Sequence, residues 1–419
     1  MSNFWETAES NMKKAAETLK LEPAMLEMLS KPMKFLEFQI PLRMDNGEMQ
    51  VFTAYRSYFC DALGPSCGGV RISPTLTKDE VNALAMTMTM KWATCGLPMG
   101  GSKGGIIADP AKLSAWEKEQ LCREYARRIG PSLMGTWVDN LAADMGTNIT
   151  YLGYILDEYE RMVGHRCPSG VLDKPVILGG TLGMDHCVAH GIRCLALEIC
   201  GQRGWNASAT KVVVQGYGAV GRNSAEILHS EGFKVLAVSD VFGAVMNPDG
   251  LDIPAVSEHF KKTGSVVGAP GTQTISNAEL LELQCDILVP GALQDVITEK
   301  NAPNIKAAVV LCGANGPVTA EADAILFKRG IQNVPDIVGN SGGIIINQWE
   351  REQGITTNYW DLDTIHAATK KKLIAVYHDT EKTAAEFGVS MTDAAWINAL
   401  RRVSSAIRAR CSAWKPSEV

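Results

Sequence analysis

From residue 4 to residue 36, apolar and charged positions recur at helical spacing, and Met49-Gln50-Val51-Phe52-Thr53-Ala54-Tyr55 then alternates. The first pattern predicts helices and the second a strand. Thr77 to Ala93 predicts a further helix, because Thr77 can cap it and Glu80 follows at capping-box spacing. Glycine then becomes dense in Pro98-Met99-Gly100-Gly101-Ser102-Lys103-Gly104-Gly105, which predicts a sharp turn. A second glycine-rich joint, Gly179-Gly180-Thr181-Leu182-Gly183, precedes a change of pattern. Beyond it, short apolar runs at Val212–Val214, Val235–Val238, Ile287–Val289, Ala308–Leu311 and Ile337-Val338 are separated by helical stretches or turns. Buried runs alternating with helices imply a parallel sheet covered on both faces. After about residue 345 the pattern is helical, through Ala394 to Arg410.

The expected fold is therefore α/β in two domains. Residues 1–185 would form an α/β substrate-binding and oligomerisation domain, 186–349 a Rossmann-like dinucleotide-binding domain, and 350–419 a helical return to the first. A chain of 419 residues suits two cores better than one. The net charge of -6 supplies no basic field for nucleic acid or an anionic membrane. No export signal or spanning apolar stretch is visible, so a cytoplasmic protein is expected. Eleven scattered cysteines, with no C-x-x-C pair, read as reduced residues rather than a disulfide framework or metal site. Trp92 and Trp137 read as core, and His186 and His190 as local packing residues.

Gly216-Tyr217-Gly218-Ala219-Val220-Gly221 matches G-x-G-x-x-G between a strand, Lys211–Gln215, and a helix running to about His229. In that context Gly216 permits the tight turn, Gly218 the approach of a pyrophosphate, and Gly221 close helix–strand packing. The helix N-terminus offers N–H groups to phosphates. Asp240 ends the next strand, where an acid can accept from a ribose hydroxyl. Val241 and Phe242 follow it with no group for a 2′-phosphate, so NAD is favoured and NADP is the alternative.

Lys91 and Lys103 flank the glycine-rich turn. Two ammonium groups in one cavity would lower at least one pKa, making one lysine a candidate base while the other clamps a carboxylate. Two surface lysines would be the ordinary reading of such a pair. The glycine density argues for a site, since such backbone usually stands close to a ligand. Asp144, in Leu141-Ala142-Ala143-Asp144-Met145-Gly146-Thr147, could cap the next helix or shuttle protons from a buried position.

Along nearly its whole length the chain resembles the glutamate, leucine, phenylalanine and valine dehydrogenase superfamily, with glutamate dehydrogenases the nearest form. The resemblance rests on Val51–Arg56, Gly68-Gly69-Val70-Arg71, Pro98–Gly105, Asp144–Thr147, Gln215–Gly221, Gly313-Ala314-Asn315-Gly316-Pro317-Val318-Thr319 and Asn340-Ser341-Gly342-Gly343. It implies that Lys91 holds the substrate α-carboxylate, Lys103 activates water and Asp144 moves protons at the amino nitrogen. It also puts Asn315 and Asn340 near the nicotinamide and its ribose. The implied reaction is reversible oxidative deamination to a 2-oxo acid and ammonia, in a cleft that closes between domains. The implied assembly is a homo-oligomer, often a hexamer.

Two positions depart from the glutamate enzymes. Cys67 stands where they carry a lysine for the side-chain carboxylate, and Asn347 where they carry a serine. Val188 also replaces a threonine. The inferred lining, Cys67, Gly68, Ala142, Val188, Ile344 and Asn347, has no charge to pair a buried carboxylate. A neutral substrate side chain is expected. The alternatives are a glutamate dehydrogenase with an altered pocket and an inactive nucleotide-binding regulator.

Overall fold

The computed structural model describes residues 4–411 and Trp414. It divides into two compact units: Met1–Met184 with Ile344–Ile365 and Trp396–Val419, and Asp185–Gly343 with His366–Ala395. The C-terminal segment is thus shared, with residues 366–395 grouped in the second unit rather than with the expected return.

In the first unit the N-terminal pattern folds as α1 (Phe4–Thr18) and α2 (Pro23–Leu29). Its last residues already belong to strand β1 (Lys34–Arg43), which pairs antiparallel with β2 (Met49–Cys60). The predicted helix is α3 (Lys78–Thr94), where the Thr77 hydroxyl accepts from the Glu80 N–H. With β3 (Ser66–Ile72), β4 (Gly100–Ile106) and β5 (Asp139–Ala143), the sheet runs in the order β1-β2-β4-β3-β5. Helices α4 (Ala115–Ile129) and α5 (Ile149–Val163) complete this part.

The glycine-rich stretch is therefore a strand in mid-sheet, and only Gly96–Met99 turns the chain. Its glycines are explained by other protein atoms. A Cβ on Gly101 would stand 2.2 Å from the Thr89 backbone N of α3, one on Gly104 2.1 Å from the Tyr125 hydroxyl, and one on Gly105 2.2 Å from the Arg71 carbonyl.

One face of this sheet covers an apolar core and buries an ion pair. Arg56 Nε and Nη2 donate to Asp139 Oδ2 and Oδ1 at 2.8 and 2.7 Å, both side chains being fully buried. Nη2 also donates to the Ser102 hydroxyl, and Nη1 to the carbonyls of Gly68 and Gly69. Every N–H of the guanidinium thus has an acceptor, and Arg56, on β2, is tied to β3, β4 and β5 together.

The second unit opens on α6 (Cys187–Arg203) and strand β6 (Lys211–Gln215). Helix α7 (Ala219–Ser230), strand β7 (Lys234–Ser239), strand β8 (Ala244–Met246), helix α8 (Ile253–Thr263), strand β9 (Gln273–Ile275) and helix α9 (Asn277–Leu281) follow. Strands β10 (Ile287–Pro290) and β11 (Val309–Leu311), helix α10 (Ala320–Lys328) and strand β12 (Gln332–Val334) come next in the chain. The order is β12-β11-β10-β6-β7-β8-β9, parallel as expected except for β8, which runs antiparallel to both β7 and β9. Ile337-Val338 is not a strand. Pro335 ends the extended segment, and these residues fall in the short helix α11 (Asp336–Gly339). Three helices, α12 (Gly342–Thr356), α13 (Leu362–Phe387) and α14 (Met391–Arg410), finish the chain.

Among the described residues no disulfide links the cysteines. His190 stacks on His366 with ring centroids 4.0 Å apart. Trp92 is fully buried, but Trp137 is 72% exposed, its ring lying beside the Arg351 guanidinium rather than in the core. Among the described residues no helix is long and apolar enough to cross a membrane.

Removing one partner of a buried ion pair strands the other charge, at a cost of about 3–5 kcal/mol. Arg56→Leu is expected to lose stability on that scale in urea denaturation, and Arg56→Leu with Asp139→Leu to recover part of it.

Candidate active site

Side chains alternate across a strand, and paired residues of neighbouring strands share a face. Ser102 points to the Arg56–Asp139 pair, so Lys103 points to the opposite face. The pairings Cys67↔Gly101, Arg71↔Gly105, Cys67↔Asn140 and Gly69↔Ala142 put Cys67, Arg71, Asn140 and Ala142 on that face with it. Lys103 Nζ lies 2.9 Å from Asp144 Oδ2, and Arg71 Nε donates to the same oxygen at 2.9 Å. Asp144 caps no helix: the cap of α5 is Asn148, while the Asp144 N–H donates to the Thr147 hydroxyl. Burial alone would raise the Asp144 pKa, but Lys103 and Arg71 outweigh it and hold the carboxyl down at about 2. Lys91 is buried in the last turn of α3, next to Trp92, whose indole N–H donates to the Cys67 carbonyl.

Cys67 is buried, and burial keeps its thiol well above the ordinary range, hence neutral. Asp139 and Asp173 reinforce that shift, while Arg56 and Arg351 oppose it. Asp173 was not foreseen from sequence. Its Oδ2 accepts the Ala143 N–H at 2.8 Å, one residue before Asp144, and its own N–H donates to Glu350. Glu350 pairs with Lys174 at 2.5 Å, both buried. Asn347, buried three residues before Glu350 on α12, lies close enough for its amide to hold the Asp173 pKa down. Ile344 is buried one turn earlier on α12.

In the second unit, strand β6 ends at the turn into α7, beside a cavity of about 760 Å³ lined by Gly216, Gly218, Val220, Asp240 and Asn277 among others. Gly216 takes φ 97°, and its Cβ would meet that of Ala292 at 2.6 Å. A Cβ on Gly221 would stand 2.1 Å from the Gly216 carbonyl oxygen. Gly218, by contrast, has φ -73° and nothing within 4 Å of an added Cβ. Protein packing explains two glycines of the turn and not the middle one. Gly218 is also the N-cap of α7 and supplies no side-chain cap. Ala219 and Val220 open the helix, where N–H groups lack intrahelical partners. Asp240 follows β7, its Oδ1 accepting from Phe242 and Gly243 and its Oδ2 from Val266. Among the described residues no lysine or arginine lines the cavity, and Asn277 Oδ1 is buried without a donor. Asn340 donates to Asn315 Oδ1 at 2.8 Å and to the Ala314 carbonyl.

Two family descriptions match. Residues 179–411 match the Glutamate/Leucine/Phenylalanine/Valine dehydrogenase domain. Residues 32–161 match the Glu/Leu/Phe/Val dehydrogenase dimerisation domain. The chain belongs to the Glu/Leu/Phe/Val dehydrogenase family. It is similar to a glutamate dehydrogenase of Thermotoga maritima, 40% identical over 97% of this chain and 98% of that one. It is also similar to a catabolic NAD-specific glutamate dehydrogenase of Bacillus subtilis, 37% identical over 97% and 96%. Among solved structures, a hetero-hexameric glutamate dehydrogenase from Thermus thermophilus, in a leucine-bound form, superposes with TM-score 0.91 at 30% identity, covering 98% of each chain. A glutamate dehydrogenase from Peptoniphilus asaccharolyticus gives 0.87 at 32%, covering 97% of this chain and 99% of that one.

In this member of the family, Lys103, Asp144, Lys91, Cys67, Gly68, Ala142, Ile344 and Asn347 belong to the first unit, and Val188 falls in the second, half-buried near the start of α6. Gly216, Gly218, Ala219, Val220, Gly221, Asp240, Asn315 and Asn340 all fall in the second unit. Sequence spacing missed Arg71, Asp173 and Asn277. Arg71 stood within a quoted motif, and its place four residues after Cys67 on one strand face was the available signal.

The glycines of the turn should separate experimentally. Gly218→Ala is expected to keep its melting temperature and weaken dinucleotide binding about tenfold in a fluorescence titration, since the added methyl crowds only the ligand. Gly221→Ala should lose stability in the same scan.

Proposed function

We propose that the chain is an NAD-dependent L-amino acid dehydrogenase whose substrate has a neutral side chain. One observation carries the second half: the Cys67–Asn347 end of the site holds a neutral thiol, an amide and the Asp173 carboxyl. A substrate carboxylate placed there would meet another acid, while the cations nearby, Lys174 and Arg351, are already engaged by Glu350 and by Asn140 and Thr136, which is unfavourable in a buried place.

The residues divide the chemistry as follows. Lys91 binds the substrate α-carboxylate. Asp144, beside the reacting nitrogen, takes and returns its protons. Lys103, as the neutral amine left once its own proton has passed to solvent, orients water and removes its proton as it attacks the imine carbon, and Asp144 then returns a proton to the departing ammonia. When NAD is bound, it supplies the hydride acceptor for the α-carbon. Gly216, Gly218 and the first N–H groups of α7 would hold its pyrophosphate, Asp240 its adenosine ribose, and Asn315 and Asn340 its nicotinamide end. The absence of a basic side chain from the cavity lining supports NAD over NADP. The relatives' NAD-specific names point the same way. A homo-oligomer in the cytoplasm is the setting we infer. It is supported by the dimerisation-domain match and by cysteines that form no disulfide among the described residues.

A second reading has support in Arg351. It lies near enough to Cys67 to act on the thiol, and could pair a glutamate side chain there. Its guanidinium is already engaged, however, by Asn140 Oδ1 at 3.2 Å and the Thr136 carbonyl at 2.8 Å.

Reduction of NAD and of NADP, followed by absorbance across a panel of L-amino acids, tests both readings. The expected result is turnover of neutral amino acids above glutamate, with Lys103→Ala slower by about 10²–10⁴-fold, the usual range for a general base. Preference for glutamate would favour the Arg351 reading. No turnover with cofactor still bound would mark an inactive nucleotide-binding protein.

A further inference from the structure

Asp173 has no part in the chemistry assigned to Lys103 and Asp144, yet its conformation and burial both cost the fold. Its φ of 55° is left-handed, a region that favours glycine. Its Oδ1 is buried and, among the described residues, has no hydrogen-bond partner, although the Asn347 amide lies close to the carboxyl. Glu350, tied to Lys174, stands beside it as a second acid. Burial and then Glu350 push the Asp173 pKa up to about 7, against the Ala143 N–H, Lys174 and Asn347. The neighbouring Asn347 Oδ1 is likewise buried without a donor. Two acceptors without donors thus lie together at the Cys67 end of the site, next to the strand that delivers Asp144.

We propose that Asp173 reads the end of the substrate's side chain, its Oδ1 accepting a hydrogen bond from a donor that the preferred amino acid carries there. The inference rests on the neutral-side-chain reading above and sharpens it from neutral to donor-bearing. Two orphaned acceptors match an N–H or O–H and disfavour both a bare hydrocarbon, which leaves them orphaned, and a carboxylate, which sets another acid beside Asp173. A side-chain amide or hydroxyl meets the requirement without charge. An ammonium offers the same donor chemistry with a charge, so the experiment separates the two.

The test is kcat/KM with NAD for glutamine, lysine, norleucine and glutamate, in the wild type, Asp173→Gly and Asp173→Asn. Glycine suits the left-handed backbone, so the first variant should fold without strain, and asparagine keeps a short acceptor. The wild type should prefer glutamine to norleucine by about tenfold to a hundredfold, the worth of one hydrogen bond to a charged acceptor. Asp173→Gly should erase that preference and Asp173→Asn retain part of it. If lysine leads in the wild type and loses its lead in Asp173→Gly, Asp173 keeps its role and the neutral side chain is overturned. Norleucine matching glutamine in the wild type would overturn this inference alone. A loss shared equally by every substrate in Asp173→Gly, with a lower melting temperature, would make Asp173 structural and also overturn it. Preference for glutamate, or no turnover at all, would remove the reading on which it rests.

Discussion

The buried pair of Arg56 and Asp139 sets where everything else in the first unit can stand. A guanidinium and a carboxylate taken out of water repay their desolvation only with good geometry and no idle donor. Here Arg56 reaches strands β3, β4 and β5 from β2, and the Ser102 hydroxyl donates to Asp139 Oδ1 at 2.5 Å. The pair therefore fixes β4 between its neighbours. Because Ser102 is committed to that face, the pleat commits Lys103 to the other. The flanking glycines let α3, β2 and β3 close around β4, leaving Lys103 its one long side chain before Ile106. A structural ion pair below the sheet thus aims a lysine above it.

Above the sheet the electrostatics are arranged differently. Asp144 is shared between Lys103 and Arg71, which stabilise its ionised form. With the pKa at about 2, placing a proton on it at pH 7 costs on the order of 7 kcal/mol. Such a carboxylate is a poor proton carrier while both cations face it. The role proposed for it requires a substrate that redirects at least one of them. A substrate ammonium would compete with Lys103 for the carboxylate, and an attacking water would give Lys103 a new partner. Arg71, bound also to Glu80, is the cation better placed to stay.

Much of this was legible in the sequence wherever one local rule dominated. The Thr77 cap, the strand–turn–helix around Gly216 and the acid after β7 each depend on a few adjacent residues. The errors arose where distant residues decide the outcome. Pro98–Gly105 looks like a turn because glycine lowers strand propensity, yet the crowding that demands glycine comes from Thr89, Tyr125 and Arg71. Ile337-Val338 is as apolar as a buried strand, and only its position after Pro335 distinguishes it. Trp137 looks like core by residue type, but packs beside Arg351, more than two hundred residues later. Asp173 is invisible for the same reason. Its neighbours Ala143, Asn347 and Glu350 come from other segments, and nothing in Leu172-Asp173-Lys174 announces a buried carboxyl.

The glycines also show how a functional residue can be told from a structural one. Gly216 and Gly221 have steric reasons within the protein, so their presence alone does not argue for a ligand. Gly218 has ordinary φ and open space, and lacks any such reason. Asp173 inverts the case: at φ 55° the backbone would be relaxed with glycine, and the chain instead carries a side chain there. A left-handed non-glycine residue costs about 1 kcal/mol or more, and a buried carboxyl oxygen without a donor costs further. The Ala143 N–H satisfies one oxygen, and the second is buried without a hydrogen-bond partner among the described residues, beside the Asn347 amide. Strain and an unmet acceptor at one residue, beside the strand that carries Asp144, are more readily reconciled with a ligand that completes the hydrogen bonding than with a role in stability.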